Sequence, residues 1–412
     1  MGHLRLPRCR RRLACGGRER SCPPRRRGVG RRGLVAVRLP VGLLAVAAAL
    51  AGSGAATATG EPPVRAAAYV VRSGVDGAIL AERSADARRP IASITKLMTV
   101  LVALDHLTLD DVVQVPRGAT AVGEATIDLR SGERISVRDL VEGALIPSAN
   151  DAATALALAA ANGSMARFVS WMNLKAQELG LTDTHFVNPH GLDMPGHVSS
   201  ARDVVTLLRA ALANPVIRRY ASTGSAELSG GRRVETTDDL LTRFPPFVAG
   251  KTGHTDGAGW SEVAEARSDK VTIYASVLGE PTRESRNNDL QSLLAWGLIQ
   301  YEDVRAIDAT RVYATAHAPY GRPSVPLVAA RSVVRLQRVG VPLVERVVAP
   351  TDVRLPVRKG QVLGRVDVYE RGRLVAHTPL VAARSLRRPG LLGRTQWYAT
   401  RTLHHVASFF SL

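Results

Sequence analysis

"PIASITKLMTVLVAL", residues 90–104, is apolar apart from one serine, two threonines and one lysine. A run of this kind reads as a helix buried on every side, with Pro90 closing the approach and Ser93 near its start. An ammonium group does not belong in such surroundings. Lys96 stands three residues after Ser93, so the two lie on one helical face within reach of each other. The chain holds 50 arginines but only five lysines, at positions 96, 175, 251, 270 and 359. Arginine stays protonated, whereas a lysine among apolar groups can lose its proton and act as a base. A lysine at 96 therefore implies proton chemistry rather than charge alone.

Two further segments give that lysine company. "PSAND" at 147–151 presents Ser148 and Asn150 on a short connection between helices, and "GKTGHT" at 250–255 presents Lys251, Thr252 and Gly253 on a strand. Each has a bland reading: a capped helix start with a snorkelling lysine, a second helix cap, and a turn. Taken together and in this order, they form the S-x-x-K, serine-loop and K-T-G set of serine acyl transferases that recognise penicillin. The underlying chemistry is consistent. A serine hydroxyl is a poor nucleophile until a neighbouring base takes its proton. Lys96 can do so if burial and the positive charge of Lys251 lower its pKa. Ser93, near a helix start, has a backbone N–H free to stabilise an oxyanion, and Gly253 lets a substrate backbone lie close to the strand.

With "IASITKLMT", "PSANDAATALA", "NPHGLDMPGHVSSARD" and "KTGHT", the chain resembles the exported D-alanyl-D-alanine carboxypeptidases, the low-molecular-mass penicillin-binding proteins. The likeness is close over residues 62–308 and looser beyond. It departs at Trp260-Ser261, where many relatives carry a smaller aromatic and a cysteine. The resemblance implies an α+β fold, a β-lactamase/DD-peptidase-like domain with an antiparallel sheet formed from both chain ends and an inserted helical region, followed by a small all-β domain. It also implies that Ser93, Lys96 and Ser148 are catalytic, with Ser148 relaying a proton to the leaving amine. Asn150 would orient the substrate amide, the His254 backbone N–H would join that of Ser93 at the oxyanion, and Lys251, Thr252 and Arg286 would hold the terminal carboxylate. Gly253 and Thr255 complete the substrate-binding set.

The implied reaction is removal of the terminal D-Ala from a peptidoglycan stem peptide ending in D-Ala-D-Ala through an acyl-enzyme. β-Lactams would be covalent inhibitors, and no cofactor is needed. The alternatives are a DD-endopeptidase with the same motifs, or a penicillin-acylated sensor that reacts once without turnover. A class A β-lactamase is disfavoured because Glu178, Glu227 and Glu235 lie in no E-x-x-x-N context. His185, His190 and His197 form no H-E-x-x-H pattern, so no metal site is expected, and no G-x-S-x-G elbow occurs.

The formal net charge of +19 suggests nucleic acid, but residues 1–38 alone hold 13 arginines and one acid. Basic patches interleaved with aromatics are absent from the rest, which excludes a nucleic-acid partner. The basic head runs into an apolar segment and then Ala56-Thr57-Ala58, the order of an export signal, so residues 1–58 read as a leader and the protein as exported, acting in the cell wall or periplasmic space. Arg31-Arg32 adds a hint of the twin-arginine route. Cys9, Cys15 and Cys22 all precede this cut, leaving a mature chain without disulfides.

Residues 66–84 read as a hairpin around Asp76-Gly77. Helices follow over 151–162, 165–179 and 201–213, the last ending before Pro215, then strands from 247, and a final helix closing near residue 304. Residues 309–385, rich in valine and broken by Gly and Pro, read as a separate all-β domain. Residues 386–412 read as an amphipathic helix with Leu403, Val406 and Phe410 on one face. Such a helix either lies in a membrane interface or docks on its own protein.

Overall fold

The computed structural model describes residues 43–49 and 60–409, with side chains from 60 to 403. The rest of the expected leader, its cysteines and cleavage site, the side chain of Val406, and Phe410 lie outside them.

The hairpin Ala68–Ser73/Ile79–Arg83 forms around Asp76, whose Oδ1 accepts the Ala78 N–H at 3.1 Å. It supplies two strands of a five-stranded antiparallel sheet in the order Ile79–Arg83, Ala68–Ser73, Thr272–Glu280, Gly259–Arg267, Phe247–Thr255. The last three strands come from some 200 residues further on, so the sheet joins both ends of the sequence around a helical insertion. The strand bearing Lys-Thr-Gly is an edge of that sheet, with one row of backbone groups left for another chain.

The helices begin where their caps dictate. Ser136, Ser164, Ser200 and Thr282 each accept a backbone N–H from three residues on, satisfying donors that a helix start leaves unpaired. The helix Lys96–Ala103 is buried nearly all round and packs with Leu140, Leu156, Phe168 and Phe186 into the larger core. A second core lies between the sheet and the helix Arg283–Leu298, with Val71, Ile273 and Val277 against Leu290, Leu293 and Leu294.

One expectation needs correction, and two others gain detail. The helix read as closing near 304 ends at Leu298; residues Tyr301–Ile307 form a strand paired with Val333–Arg338. Tyr301, Ala306 and Ile307 face inward and Glu302, Asp303 and Arg305 outward, a pattern without the clean period-two repeat that would mark a strand after the helical run before it. Pro215 does not merely end a helix: it opens another, Pro215–Tyr220, with Asn214 as cap, because proline's missing N–H is no loss in a first turn. Within the expected leader, Leu43–Ala49 is a strand along Leu343–Pro350. A chain cut after Ala58 would lose it and leave that edge open.

Residues Val312–Ala382 form strands, mostly gathered into a sheet with its own core of Val325, Leu327, Val366, Val368 and Leu380. The terminal helix runs Leu391–Phe409, and its Leu391, Leu392 and Leu403 are exposed.

Core and surface positions should separate cleanly in stability. Phe168→Ala is expected to lower the unfolding free energy by about 3–5 kcal/mol, and Leu392→Ala to change it by no more than about 0.5 kcal/mol, both measured by chemical denaturation.

Candidate active site

Ser93 lies on a single 3₁₀ turn, Ala92–Thr95, that runs directly into the helix beginning at Lys96. In 3₁₀ geometry the side chains at i and i+3 eclipse, so Ser93 Oγ lies 2.7 Å from Lys96 Nζ. The turn is entered through Ala92 at φ +48°, a left-handed value that costs a non-glycine residue energy and survives only where surroundings hold it. Lys96 is fully buried. Its nitrogen has two other neighbours, Asn150 Oδ1 at 2.7 Å and the His190 carbonyl at 3.0 Å, and both can only accept. A neutral amine has two N–H groups and one lone pair. With both N–H groups directed at the oxygens, the lone pair is left for the Ser93 proton. Burial first, and then the field of Lys251, hold the Lys96 pKa well below the ordinary lysine range, while Glu124 and Asp151 pull the other way.

A second lysine–serine pair lies alongside. Lys251 Nζ donates to Ser148 Oγ at 2.8 Å and to the Thr252 carbonyl at 2.9 Å. Burial lowers its pKa to about 7, with Asp238 raising it and Arg286 lowering it further. Ser148 is another non-glycine at positive φ, +66°. Asn150 ties this segment to a neighbouring loop, with Nδ2 donating to the Gly123 carbonyl at 3.0 Å. Asp151 accepts from the backbone N–H of Ile127, Leu129 and Ala152.

The edge strand and the loop 188–193 close on the nucleophile from two sides. A Cβ at Gly253 would stand 2.8 Å from the Ile91 carbonyl and 3.0 Å from Ser93 N, and one at Gly191, whose φ is +95°, would stand 2.0 Å from the Ala92 carbonyl. The loop is braced by Asn188 Oδ1, which accepts from His190 N and Gly191 N. Asp193 accepts from Thr255 Oγ1 and Gly257 N, both at 2.8 Å, clasping loop to strand. His197 Nδ1 accepts from Val187 N, so its Nε2 bears the proton and donates to Thr95 Oγ1 at 2.8 Å, which steadies the serine's turn. Burial lowers the His197 pKa to about 4, in keeping with a neutral ring.

The structure thus brings Ser93, Lys96, Ser148, Asn150, Lys251 and Gly253 together. Other expected residues sit differently. Thr252 shares a hydrogen bond with Thr237, Thr255 is engaged by Asp193, and the exposed His254 ring lies on Trp260 at 4.1 Å. Arg286 is buried on the Thr252 face of the strand, paired with Glu262 at 2.9 Å and Asp239 at 3.5 Å and lying over the Trp260 ring. The bracing by Asn188, Gly191, Asp193 and His197 had one trace in the sequence, the N-P-H-G-L-D run, which gave no hint of its partners. Of the three histidines, His190 offers its backbone carbonyl as an acceptor to Lys96, His197 braces the turn, and the His185 ring is bound to the Gly196 carbonyl.

A serine beside a buried lysine, a second lysine–serine pair and a free strand edge fit a serine peptidase. The chain belongs to the D-alanyl-D-alanine carboxypeptidase family, peptidase family S11, whose profile matches residues 55–282. It is similar to D-alanyl-D-alanine carboxypeptidase DacC of Escherichia coli strain K12, at 34% identity over 85% of this chain and 92% of the relative. It is also similar to DacD of the same strain, at 32% over 84% and 92%. Among solved structures, penicillin binding protein 5 from Haemophilus influenzae superposes with a TM-score of 0.59 at 28% identity, covering 80% of this chain and all of that one. The carboxypeptidase from Mycobacterium tuberculosis H37Rv gives 0.55 at 32%, covering 60% and 96%.

Gly191→Ala tests the squeeze on the nucleophile turn. A new Cβ must push the loop or Ala92 aside, and a misplacement of about 1 Å is worth roughly a hundredfold in rate. We expect acylation by a β-lactam to slow by about that factor while the circular dichroism spectrum stays that of the unaltered protein.

Proposed function

We propose that the chain removes the terminal D-Ala from peptidoglycan stem peptides ending in D-Ala-D-Ala. Ser93 Oγ attacks the penultimate D-Ala carbonyl while its proton passes to Lys96. The tetrahedral oxyanion is held by the backbone N–H groups of Ser93 and His254. The C–N bond breaks, Ser148 relays a proton to the departing D-Ala amine, and an ester on Ser93 remains. Water then frees the trimmed peptide and restores the serine. Asn150 orients the substrate amide, and Lys251, Thr252 and Arg286 receive the terminal carboxylate. A β-lactam enters the same ester-forming step. The observation that carries this reading is the 2.7 Å approach of Ser93 Oγ to a buried amine whose other neighbours are two carbonyl oxygens.

The intact mass of the protein after benzylpenicillin treatment should rise by one adduct, and Ser93→Ala should show none. Lys96→Arg should also fail, by at least about a thousandfold in acylation rate, because a guanidinium cannot take the proton. Steady release of D-alanine from a pentapeptide distinguishes the carboxypeptidase from a sensor that stops at one stable adduct.

We also propose that the protein is exported and rests against an anionic lipid surface through its terminal helix. Charge supports this. Residues 62–308 hold 25 Lys and Arg against 30 Asp and Glu, whereas residues 309–412 hold 17 against four. Among the described residues of that second part, only Arg311 and Arg365 form ion pairs. No described helix is long and apolar enough to cross a membrane, but exposed leucines with arginines suit the interface, where each basic residue near an anionic leaflet contributes about 1 kcal/mol. The full chain should sediment with vesicles containing phosphatidylglycerol and lose binding on deletion of residues 390–412, while vesicles of phosphatidylcholine alone should retain little of either form.

A further inference from the structure

Strand alternation puts Lys251 and Thr252 on opposite faces of the edge strand. Lys251 turns toward Ser148, whereas Thr252 stands directly opposite Glu262 on the neighbouring strand and so shares its face. Glu262 is fully buried there, as are Arg286 and, nearly, Asp238. Along the same face the next cross-strand pair is His254 with Trp260, and the aromatic ring covers the guanidinium at 5.8 Å.

A buried glutamate at 262 needs explaining. Taking a carboxylate and a guanidinium out of water costs several kcal/mol each, and a well-packed apolar pair of similar volume commonly serves stability as well or better. The adjoining buried positions Ser261, Val263 and Ala264 are apolar or small, and the strand's other buried acid, Glu265, pairs with the part-exposed Arg218 and Arg267 rather than with a buried cation. What Glu262 supplies is a charge against one edge of Arg286, an ion pair made without a hydrogen bond. Its Oε2 lies 2.9 Å from Nε; Asn287 Oδ1 accepts from Nε at 3.1 Å and from Nη2 at 2.5 Å; Asp239 lies 3.5 Å from Nη2. Asp239 is itself held by Arg283 and Asn287. Two of the three guanidinium nitrogens are thus occupied, and among the described residues Nη1 has no hydrogen-bond partner. Burial pushes the Asp238 carboxyl up and the Glu262 carboxyl well above the ordinary carboxylate range, and the charge of Arg286 pulls both back.

We infer that Glu262 is a positioning residue for substrate selection: by pairing with the Nε edge of Arg286 beside Thr252, it fixes the guanidinium so that Nη1 is kept for the terminal carboxylate of the acyl donor. This rests on the carboxylate-binding role proposed above for Arg286 and adds the residue that makes it selective. A buried guanidinium on a long, flexible stem recognises an anion well only when its plane is held.

The test compares two substrates of the full-length protein, a peptide ending in D-Ala-D-Ala with a free carboxylate and the same peptide as its terminal amide. The readout is the ratio of their kcat/KM values. Glu262→Leu should lower the preference for the free acid at least tenfold, chiefly through a higher KM for that substrate, while the amide is affected little. Glu262→Gln, which keeps an oxygen at the same reach, should recover part of the preference and guards against a leucine variant that folds poorly. In an Arg286→Ala background, Glu262→Gln should have no further effect on the ratio, the signature of two residues acting as one. An unchanged ratio in both Glu262 variants overturns the proposal, as does a rise in preference, which a competing counter-ion would give. Failure of the unaltered protein to turn over either peptide counts instead against the proposed function.

Discussion

An amine without access to water is the constraint around which this molecule is arranged. Burying Lys96 disfavours its charged form, and the two carbonyl oxygens at its nitrogen use both N–H groups of the neutral one. Neither effect would persist on a mobile surface. The helix that carries it is accordingly apolar on all sides, and the oxygens come from elements far apart in the chain, Asn150 from the start of one helix and His190 from a braced loop. Four strained or crowded backbone positions, Ala92, Ser148, Gly191 and Gly253, lie in this same small region. Strain gathered at a site in this way is held by the packing around it.

The edge strand divides the work by face. Alternation sends Lys251 toward Ser148 and Thr252 toward Glu262 and Arg286, so the two buried cations lie on opposite sides of one backbone. Separation by a strand's thickness does not isolate them electrically. Burial lowers the Lys251 pKa to about 7, and across the strand Asp238 and Glu262 raise it while Arg286 lowers it.

Much of this was legible in the sequence because it is local. The i, i+3 spacing of Ser93 and Lys96, the serine caps at 164 and 200 and the hairpin at Asp76 are each set within a few residues, and all three motif segments meet in the structure. What stayed hidden is set by partners distant in the chain. Nothing near Asp193 announces Thr255, nothing near His197 announces Thr95, and nothing near Glu262 announces Arg286, which comes from the helix Arg283–Leu298. The strand at Tyr301–Ile307 was lost for another reason: the helical period before it ran on through a boundary that carries no proline or capping signal.

The sheet joins residues 68–83 to residues 247–280, with the whole helical insertion between them. A ribosome delivers the first pair of strands long before the other three, and closing so large a loop carries an entropic cost that precedes any reward from pairing. No cleft exists until about residue 280 has emerged, since Lys251 and Gly253 lie on the last strands to arrive. Assembly of the cluster of Ser93, Lys96, Ser148 and Lys251 is therefore a late event in the life of the chain. A polypeptide crossing a membrane from its N-terminus would remain chemically inert until nearly the entire catalytic unit was on the far side.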